Sequence, residues 1–126
     1  MIERVMDPKG PNPGGPYSHA VKAGGFIYVS GQASINPKTK KYAPGTVTQE
    51  THQTIKNIRS ILKASGASLK DVIKCSVFLS DIRDFAEMNK VYEEYFGAAK
   101  PARTTVGAPL PAHGLKVEID CVAYKE

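Results

Sequence analysis

Two amphipathic helical patterns, each lying between strand-like segments, limit the folds open to this chain more than any other feature. The first pattern begins at Thr46, because Thr46 and Gln49 have the three-residue spacing of a capping box. Gly66 supplies the stop, since glycine readily adopts the left-handed conformation that follows many helices. Between these two signals the predicted inward-facing residues lie on one helical face: Val47, Thr51, Ile55, Ile58 and Leu62.

The second helical pattern runs from about Asp84 to Phe96. Asp84 and Glu87 are its predicted N-terminal cap, and Gly97 is its predicted end. A stripe of apolar side chains at helical spacing is predicted to face the core: Phe85, Met88, Tyr92 and Phe96.

Six further segments have the alternation and the β-branched or aromatic content of strands. The pair Gly24-Gly25 separates the second segment from the third and is typical of a two-residue hairpin turn. In the fourth segment Ile73, Cys75, Val77 and Leu79 are predicted to point to one face. The predicted strands are near Glu3–Met6, Ala20–Ala23, Phe26–Ser30, Val72–Leu79, Ala102–Gly107 and Lys116–Tyr124.

The resulting order, β-β-β-α-β-α-β-β, predicts an α+β fold in which two helices cover one face of a mixed sheet. The other face then needs cover, which oligomerisation could supply. A length of 126 residues predicts one domain, residues 1–126. Because 41% of the residues are hydrophobic and 23% are charged, the composition is that of a globular protein rather than a disordered one.

The N-terminal segment MIERVMDPKG lacks the apolar core of a signal peptide. No window approaches the roughly 18 consecutive apolar residues that a membrane span needs. We therefore expect a cytoplasmic protein.

The cysteines and histidines are placed in a way that favours neither a disulfide framework nor a metal site. Cys75 and Cys121 both lie in apolar strand-like segments, and they are predicted to be buried free thiols. His19, His52 and His113 fall in three different segments without ligand spacing. No metal is predicted.

The net charge of +5 is unevenly distributed along the chain. Residues 8–80 hold ten lysines and arginines and two acids, whereas residues 81–126 hold six and eight. On the first helix Lys56, Arg59 and Lys63 recur at helical spacing as a short basic stripe. A solvated helix face explains this stripe better than a nucleic-acid surface does, because no arginine-rich run or aromatic-basic interleaving accompanies it.

The last strand-like segment carries acidic residues in an otherwise apolar run. Glu118 and Asp120 share one face with Val122 and Tyr124, and unpaired carboxylates are costly to bury. Glu118 must therefore face water, a subunit interface or a functional site, and the pattern leaves these open.

Arg103 begins the preceding strand-like segment, with Thr105 on the same face. It lies among small residues, where a guanidinium can hold a carboxylate through two parallel hydrogen bonds. A structural salt bridge is the alternative that the pattern leaves open.

Five short motifs, taken in order, connect these residues. From about Ile2 to Tyr124 the chain resembles the reactive-intermediate deaminase family, also called RidA or YjgF-type. The motifs that carry the resemblance are Gly15-Pro16-Tyr17-Ser18, Ser30-Gly31-Gln32, Asn89, Pro101-Ala102-Arg103-Thr104-Thr105-Val106 and Val117-Glu118-Ile119.

The resemblance implies a chorismate-mutase-like α+β fold that assembles as a homotrimer, with sites in clefts between subunits. It also implies an enzyme, a 2-iminobutanoate/2-iminopropanoate deaminase. Such an enzyme hydrolyses 2-aminoacrylate and 2-aminocrotonate tautomers, made by pyridoxal-phosphate dehydratases, to pyruvate or 2-oxobutyrate and ammonia. It requires no metal or organic cofactor.

The resemblance also assigns roles to residues of this chain. It implies that Arg103 clamps the substrate carboxylate and that Glu118 handles a water molecule at the imine carbon. The substrate-binding residues that it implies are Tyr17, Ser30 and Asn89, which line the cleft, and Gly31 and Thr105, whose backbone positions the reacting group.

One position departs from the family pattern, because many members carry cysteine where this chain has Thr105. Any role that depends on a thiol at this position is therefore in doubt, whereas a backbone contact is not.

Two other functions compete with the deaminase. A non-catalytic trimer that binds 2-oxo acids in the same cleft is one, although Arg103 argues against it. An RNA-acting translation inhibitor or endoribonuclease is the other, supported locally only by the basic stripe, so nucleic acid is an unlikely partner.

Overall fold

The computed structural model describes residues 1–126 and contains six strands and two α-helices in the predicted order. Neither helix is long and apolar enough to cross a membrane. The elements are β1 (Ile2–Val5), β2 (Ala20–Ala23), β3 (Phe26–Gln32), α1 (Val47–Ala64), β4 (Val72–Leu79), α2 (Phe85–Phe96), β5 (Ala102–Gly107) and β6 (Val117–Tyr124).

All six strands form one sheet in the order β1-β2-β3-β6-β4-β5. The pairing of β4 with β5 is parallel and the other pairings are antiparallel, so the sheet is mixed, as predicted. The last strand therefore lies between β3 and β4, and β4 separates β6 from β5. This strand order determines where the candidate site residues lie.

Helix α1 has both of its predicted end signals. The Gln49 amide donates to Thr46 Oγ1 over 3.1 Å, and the Thr46 amide donates to Gln49 Oε1 over 3.0 Å, which completes the capping box. Gly66 follows the helix with a φ of +86°, and the amide of Ala67 returns to the Leu62 carbonyl over 2.8 Å. All five residues that were predicted to face inward are buried.

Helix α2 has the predicted bounds and ends at Gly97 as predicted, but the predicted side-chain cap at Asp84 is wrong. Asp84 makes no capping hydrogen bond, because a turn of 3-10 helix at Ile82–Asp84 runs directly into α2 and its Ile82 carbonyl accepts the Phe85 amide. Gly97 keeps a right-handed φ of −61°. The residue with positive φ after this helix is Lys100, whose φ is +47°.

The helices cover one face of the sheet, where a cluster of twenty buried residues forms the core. Met88, Tyr92 and Phe96 of α2 belong to this cluster, but Phe85 is 37% exposed, so its predicted burial is wrong. Cys75 and Cys121 face each other across β4 and β6 within the core, which confirms that both thiols are buried.

A register shift in β4 corrects the prediction that Ile73 points into the core. Val72 pairs with Ala123 and Lys74 pairs with Val122, so Ile73 is an extra residue in the strand. Val72 is buried in its place, and Ile73 is 45% exposed. From Cys75 to Leu79 the predicted alternation is confirmed.

The second face of the sheet carries no helix and is called here the open face. It exposes aromatic side chains on two adjacent strands: Phe26 packs against Tyr124 with ring centroids 5.0 Å apart, and Tyr28 lies 6.3 Å from Phe26. The face that we expected to need cover is therefore partly apolar.

Candidate active site

The two residues with the strongest predicted roles project from opposite faces of the sheet. Arg103 is in register with the buried Cys75 of β4, and it therefore points to the helix-covered face. Glu118 is in register with Phe78, on the open face. Because β4 lies between their strands, about 10 Å of sheet also separates their backbones. Within one chain these two side chains do not meet.

Asn89, Arg103 and Thr105 form what we call the arginine half-site, between α2 and β5. The Arg103 Nη1 donates to the Asn89 Oδ1 over 2.6 Å. The guanidinium carbon lies 4.7 Å from the ring centroid of Tyr92 and 5.4 Å from that of Phe85. Neutral groups thus hold the guanidinium in place.

Arg103 makes no ion pair with a carboxylate of its own chain. The structural salt bridge that the sequence left open is therefore not formed within the chain. Since one hydrogen bond to Asn89 leaves most of the guanidinium donors free, Arg103 retains both the charge and the donors to bind an external carboxylate.

Two hydroxyl groups near the guanidinium are buried without a hydrogen-bond partner, Thr105 Oγ1 and the Tyr92 hydroxyl. Burial, together with the neighbouring Cys75 thiol, raises the pKa of Tyr92. Unpaired buried hydroxyls are uncommon, because each forgoes a hydrogen bond that water would make. Thr105 therefore offers a hydroxyl as well as its backbone beside Arg103.

The thiols behind the arginine half-site do not supply a nucleophile. Burial raises the pKa of Cys75 to about 11, and burial together with Cys75 raises the pKa of Cys121. Both thiols are therefore protonated at neutral pH and pack as small apolar groups.

Tyr17, Gly31 and Glu118 form what we call the glutamate half-site, at the other face and end of the sheet. They line a cavity of about 590 Å³. Burial, and secondarily the charge of Asp120, raises the pKa of the Glu118 carboxyl. A carboxyl with a raised pKa is suited to both accepting and donating a proton near neutral pH.

A β-bulge in β3 brings the backbone up to Glu118. Val29 pairs with Cys121 and Gln32 pairs with Ile119, so Ser30 and Gly31 together oppose the single residue Asp120. A Cβ atom at Gly31 would overlap the Glu118 carboxylate. Only glycine allows this approach without displacing the carboxylate.

Ser30 and Tyr17 are bound to the loop that precedes β2. Ser30 Oγ donates to the Ser18 carbonyl over 2.6 Å, and the Tyr17 hydroxyl accepts the Gly14 amide over 3.3 Å. His19 anchors the same loop, because its Nδ1 accepts the Asp7 amide over 2.8 Å and its Nε2 donates to the Pro11 carbonyl over 2.5 Å. Ser30 thus lies beside the glutamate half-site but uses its hydroxyl to hold the loop.

Several residues at the two half-sites were not predicted to contribute there. Phe85 and Tyr92 were interpreted only as part of the core stripe, yet their rings flank Arg103. Their spacing from Asn89 on α2 could have indicated a shared helical face. His19 and Tyr42, which also line the glutamate cavity, carry no motif that would have identified them.

Neither half-site provides a cluster of side chains for a metal ion, since no group of three or more His, Cys, Asp or Glu residues is suitably placed. The basic stripe on α1 is exposed, and Arg59 within it stacks 5.9 Å from the ring centroid of Tyr95. It contributes to neither half-site.

Residues 8–125 match the protein family described as Endoribonuclease L-PSP. The chain belongs to this family. A RutC family protein of Pyrococcus horikoshii is 47% identical over 126 residues, which cover 100% of both chains. The 2-iminobutanoate/2-iminopropanoate deaminase of Dermatophagoides farinae is 38% identical over 123 residues, covering 97% of this chain and 95% of the mite protein. The predicted membership of the reactive-intermediate deaminase family is confirmed.

The family fold is confirmed as well. The crystal structure of the yeast protein YEO7 superimposes on this chain with a TM-score of 0.95, at 37% identity and over 100% of both chains. This chain therefore has the chorismate-mutase-like arrangement that its sequence predicted, with two helices on one face of a mixed six-stranded sheet.

Proposed function

We propose that this family member hydrolyses reactive 2-imino acids, namely 2-iminopropanoate and 2-iminobutanoate and their enamine tautomers, to 2-oxo acids and ammonia. The observation that carries the proposal is a guanidinium without a carboxylate partner, Arg103, on a chain whose Glu118 has a raised carboxyl pKa. The first is suited to holding an α-carboxylate and the second to moving protons. The mite relative named as a deaminase of this kind supports the assignment.

The two half-sites would act together across a contact between chains. Arg103 and Glu118 project from opposite faces, so no motion of one side chain within a chain unites them. A second copy that covers the open face would bring its arginine half-site to the first copy's Glu118. A cyclic trimer repeats this contact and closes on itself, with one composite site at each interface.

In this composite site each group has a definite task. Arg103 binds the substrate carboxylate through parallel hydrogen bonds and so orients the imine carbon. Water forms a bond from its oxygen to that carbon as the C=N π bond opens onto the nitrogen, and one water proton passes through Glu118 to that nitrogen. A second proton then moves from the new hydroxyl through Glu118 to the nitrogen as the C–N bond breaks. Ammonia leaves with the bonding electron pair, and the 2-oxo acid remains.

The direct test is an imine assay in which a threonine dehydratase generates 2-iminobutanoate and its disappearance is followed with and without this protein. We expect the wild-type chain to accelerate the decay and Arg103→Ala to abolish the acceleration. Arg83→Ala is the matched control, because Arg83 is an exposed arginine paired with Asp81. An Arg103→Ala protein with undiminished activity would refute the proposed site.

Mixing two inactive variants tests whether the site is shared between chains. Arg103→Ala keeps Glu118, and Glu118→Gln keeps Arg103, so a mixed oligomer contains some interfaces with both groups intact. Random assembly of equal amounts restores about a quarter of the wild-type sites. If the co-expressed variants remain inactive although they assemble together, the site does not lie between chains.

RNA cleavage is the second candidate, because the family's description names an endoribonuclease and the stripe of Lys56, Arg59 and Lys63 is exposed. Two sets of variants distinguish RNA cleavage from imine hydrolysis. RNA cleavage that survives Arg103→Ala but is lost when the three basic residues are neutralised would support it. Imine hydrolysis with the opposite dependence supports the deaminase.

A further inference from the structure

The cavity of the glutamate half-site extends well beyond what a substrate with an ethyl side chain fills. Its volume of about 590 Å³ lies within the roughly 300–1,000 Å³ that is usual for pockets holding much larger ligands. The part of its lining that Tyr17, Tyr42 and three prolines supply is called here the far wall.

Rings and prolines dominate this far wall. Tyr17 and Tyr42 both line the cavity, and they are 51% and 59% exposed, so their ring faces are available to a ligand. Pro11, Pro13 and Pro111 line the same cavity. Glu118 is the only acidic residue in the lining.

Backbone contacts hold the Tyr42 segment in place. Tyr42 forms a β-bridge with Ile35, and the next residue, Ala43, exchanges two hydrogen bonds with Ser34 at 2.9 and 2.8 Å. Asn57 of α1 donates to the Ile35 carbonyl over 3.0 Å, which ties the bridge to the helix. A preformed aromatic wall favours a planar apolar group, because little ordering is required on binding.

The cations near this wall differ in their availability. The Lys40 ammonium donates to the Gly10 carbonyl over 2.7 Å and to the Pro8 carbonyl over 3.4 Å, so it is occupied with the loop. Lys41 lines the cavity and makes no ion pair. Lys41 defines the competing possibility, a substrate with an anionic side chain.

We propose that Tyr42 and Tyr17 form a side-chain subsite that selects 2-imino acids with an aromatic side chain, and that Tyr42 determines this specificity. The inference rests on the proposed imine hydrolysis and names the substrate class of that same site. The rings and prolines outnumber the one available cation. An aromatic group that packs against a tyrosine ring is stabilised beyond its apolar contact alone.

The test compares imines made by a general L-amino-acid oxidase from phenylalanine, glutamate and 2-aminobutyrate. Relative to wild type, Tyr42→Ala should lower the ratio of kcat/KM for the phenylalanine imine to that for 2-iminobutanoate roughly fivefold to tenfold. Tyr42→Phe, which keeps the ring, should restore the ratio. Lys38→Ala is the control, because Lys38 is exposed in the same loop and does not line the cavity.

Two kinetic outcomes would overturn the proposal. One is an unchanged ratio in Tyr42→Ala. The other is a preference for the glutamate imine that Lys41→Ala abolishes, which would assign the subsite to an anionic side chain.

Calorimetric binding of the product phenylpyruvate separates this proposal from the proposed function. If the protein hydrolyses no imine but binds phenylpyruvate, with affinity lowered in Tyr42→Ala and kept in Tyr42→Phe, the deaminase is refuted and the aromatic subsite stands. If the protein hydrolyses 2-iminobutanoate but binds phenylpyruvate equally well with and without the Tyr42 ring, the aromatic subsite is refuted and the deaminase stands.

Discussion

The arginine half-site and the glutamate half-site are built in different ways. In the first, a strand and a helix present Arg103 and Asn89 from regular backbone, and the rings of Tyr92 and Phe85 flank the charge. In the second, Glu118 stands on a regular strand, but a bulge and loops supply what surrounds it. The difference teaches that regular packing suffices to fix a binding charge. At the glutamate half-site, burial and the neighbouring Asp120 raise the Glu118 pKa, and the bulge brings the backbone of Gly31 against the carboxylate.

The two half-sites also differ in the charges that surround their main residues. No carboxylate of the chain pairs with Arg103, whereas burial and the charge of Asp120 raise the pKa of the Glu118 carboxyl. Each half-site therefore lacks what the other has. A single chain presents an arginine suited to holding a carboxylate on one face and a carboxyl suited to moving protons on the other.

The largest expected effect comes from removing the carboxyl that we propose handles protons. Glu118→Gln keeps the size of the side chain but cannot relay a proton, so we expect kcat for 2-iminobutanoate to fall by about 10²–10⁴-fold. Binding of 2-oxobutyrate, measured by calorimetry, should persist because Arg103 is intact. A variant that binds no 2-oxobutyrate would show that the two half-sites do not divide the work in this way.

A smaller effect is expected from changing the shape of the clamp while its charge is kept. Arg103→Lys loses the fork that holds a carboxylate through two bonds, and it also loses the planar stack on Tyr92. We expect kcat/KM to fall by roughly 10–100-fold, equivalent to about 1.4–2.7 kcal/mol. Steady-state kinetics beside Arg83→Lys as a control measures this, and near-wild-type activity would mean that charge alone suffices.

The pH dependence of kcat/KM should change when Asp120 is replaced. Because the pKa of Glu118 is raised, activity that needs the ionised carboxylate should be lost on acidification at a pH above the ordinary glutamate value of 4.5. Asp120→Asn removes the second cause of the shift, so the pKa falls and the acidic limb of kcat/KM moves to lower pH. An unmoved limb in the pH–rate profile would exclude Glu118 as the titrating group.

The smallest effect concerns the unpaired hydroxyl of Tyr92 at the arginine half-site. Tyr92→Phe removes a buried group that has no hydrogen-bond partner and retains the ring that stacks on Arg103. We expect the free energy of unfolding to stay unchanged or rise by up to about 1 kcal/mol, with kcat/KM retained. Denaturant unfolding measures this, and a loss of stability would reveal a hydrogen bond made by that hydroxyl in the assembled protein.

Much of the fold could be predicted from local signals. The capping box at Thr46, the glycine stop at Gly66 and the alternation in β6 all act within a few residues, and all three are confirmed. Predictions failed where a neighbouring element took over a local role. The 3-10 turn replaced the Asp84 cap, and a bulge turned Ile73 outward.

By itself, the sequence determined the two helices, the element order and the alternation that separates Glu118 from the buried residues of its strand. These follow from the chain's local geometry, since neighbouring side chains on a strand must point to opposite faces. Only the tertiary structure decided that Arg103 and Glu118 lie on opposite faces, with β4 between their strands. The physical reason is that strand order and register arise from pairing between distant segments, which no local pattern specifies.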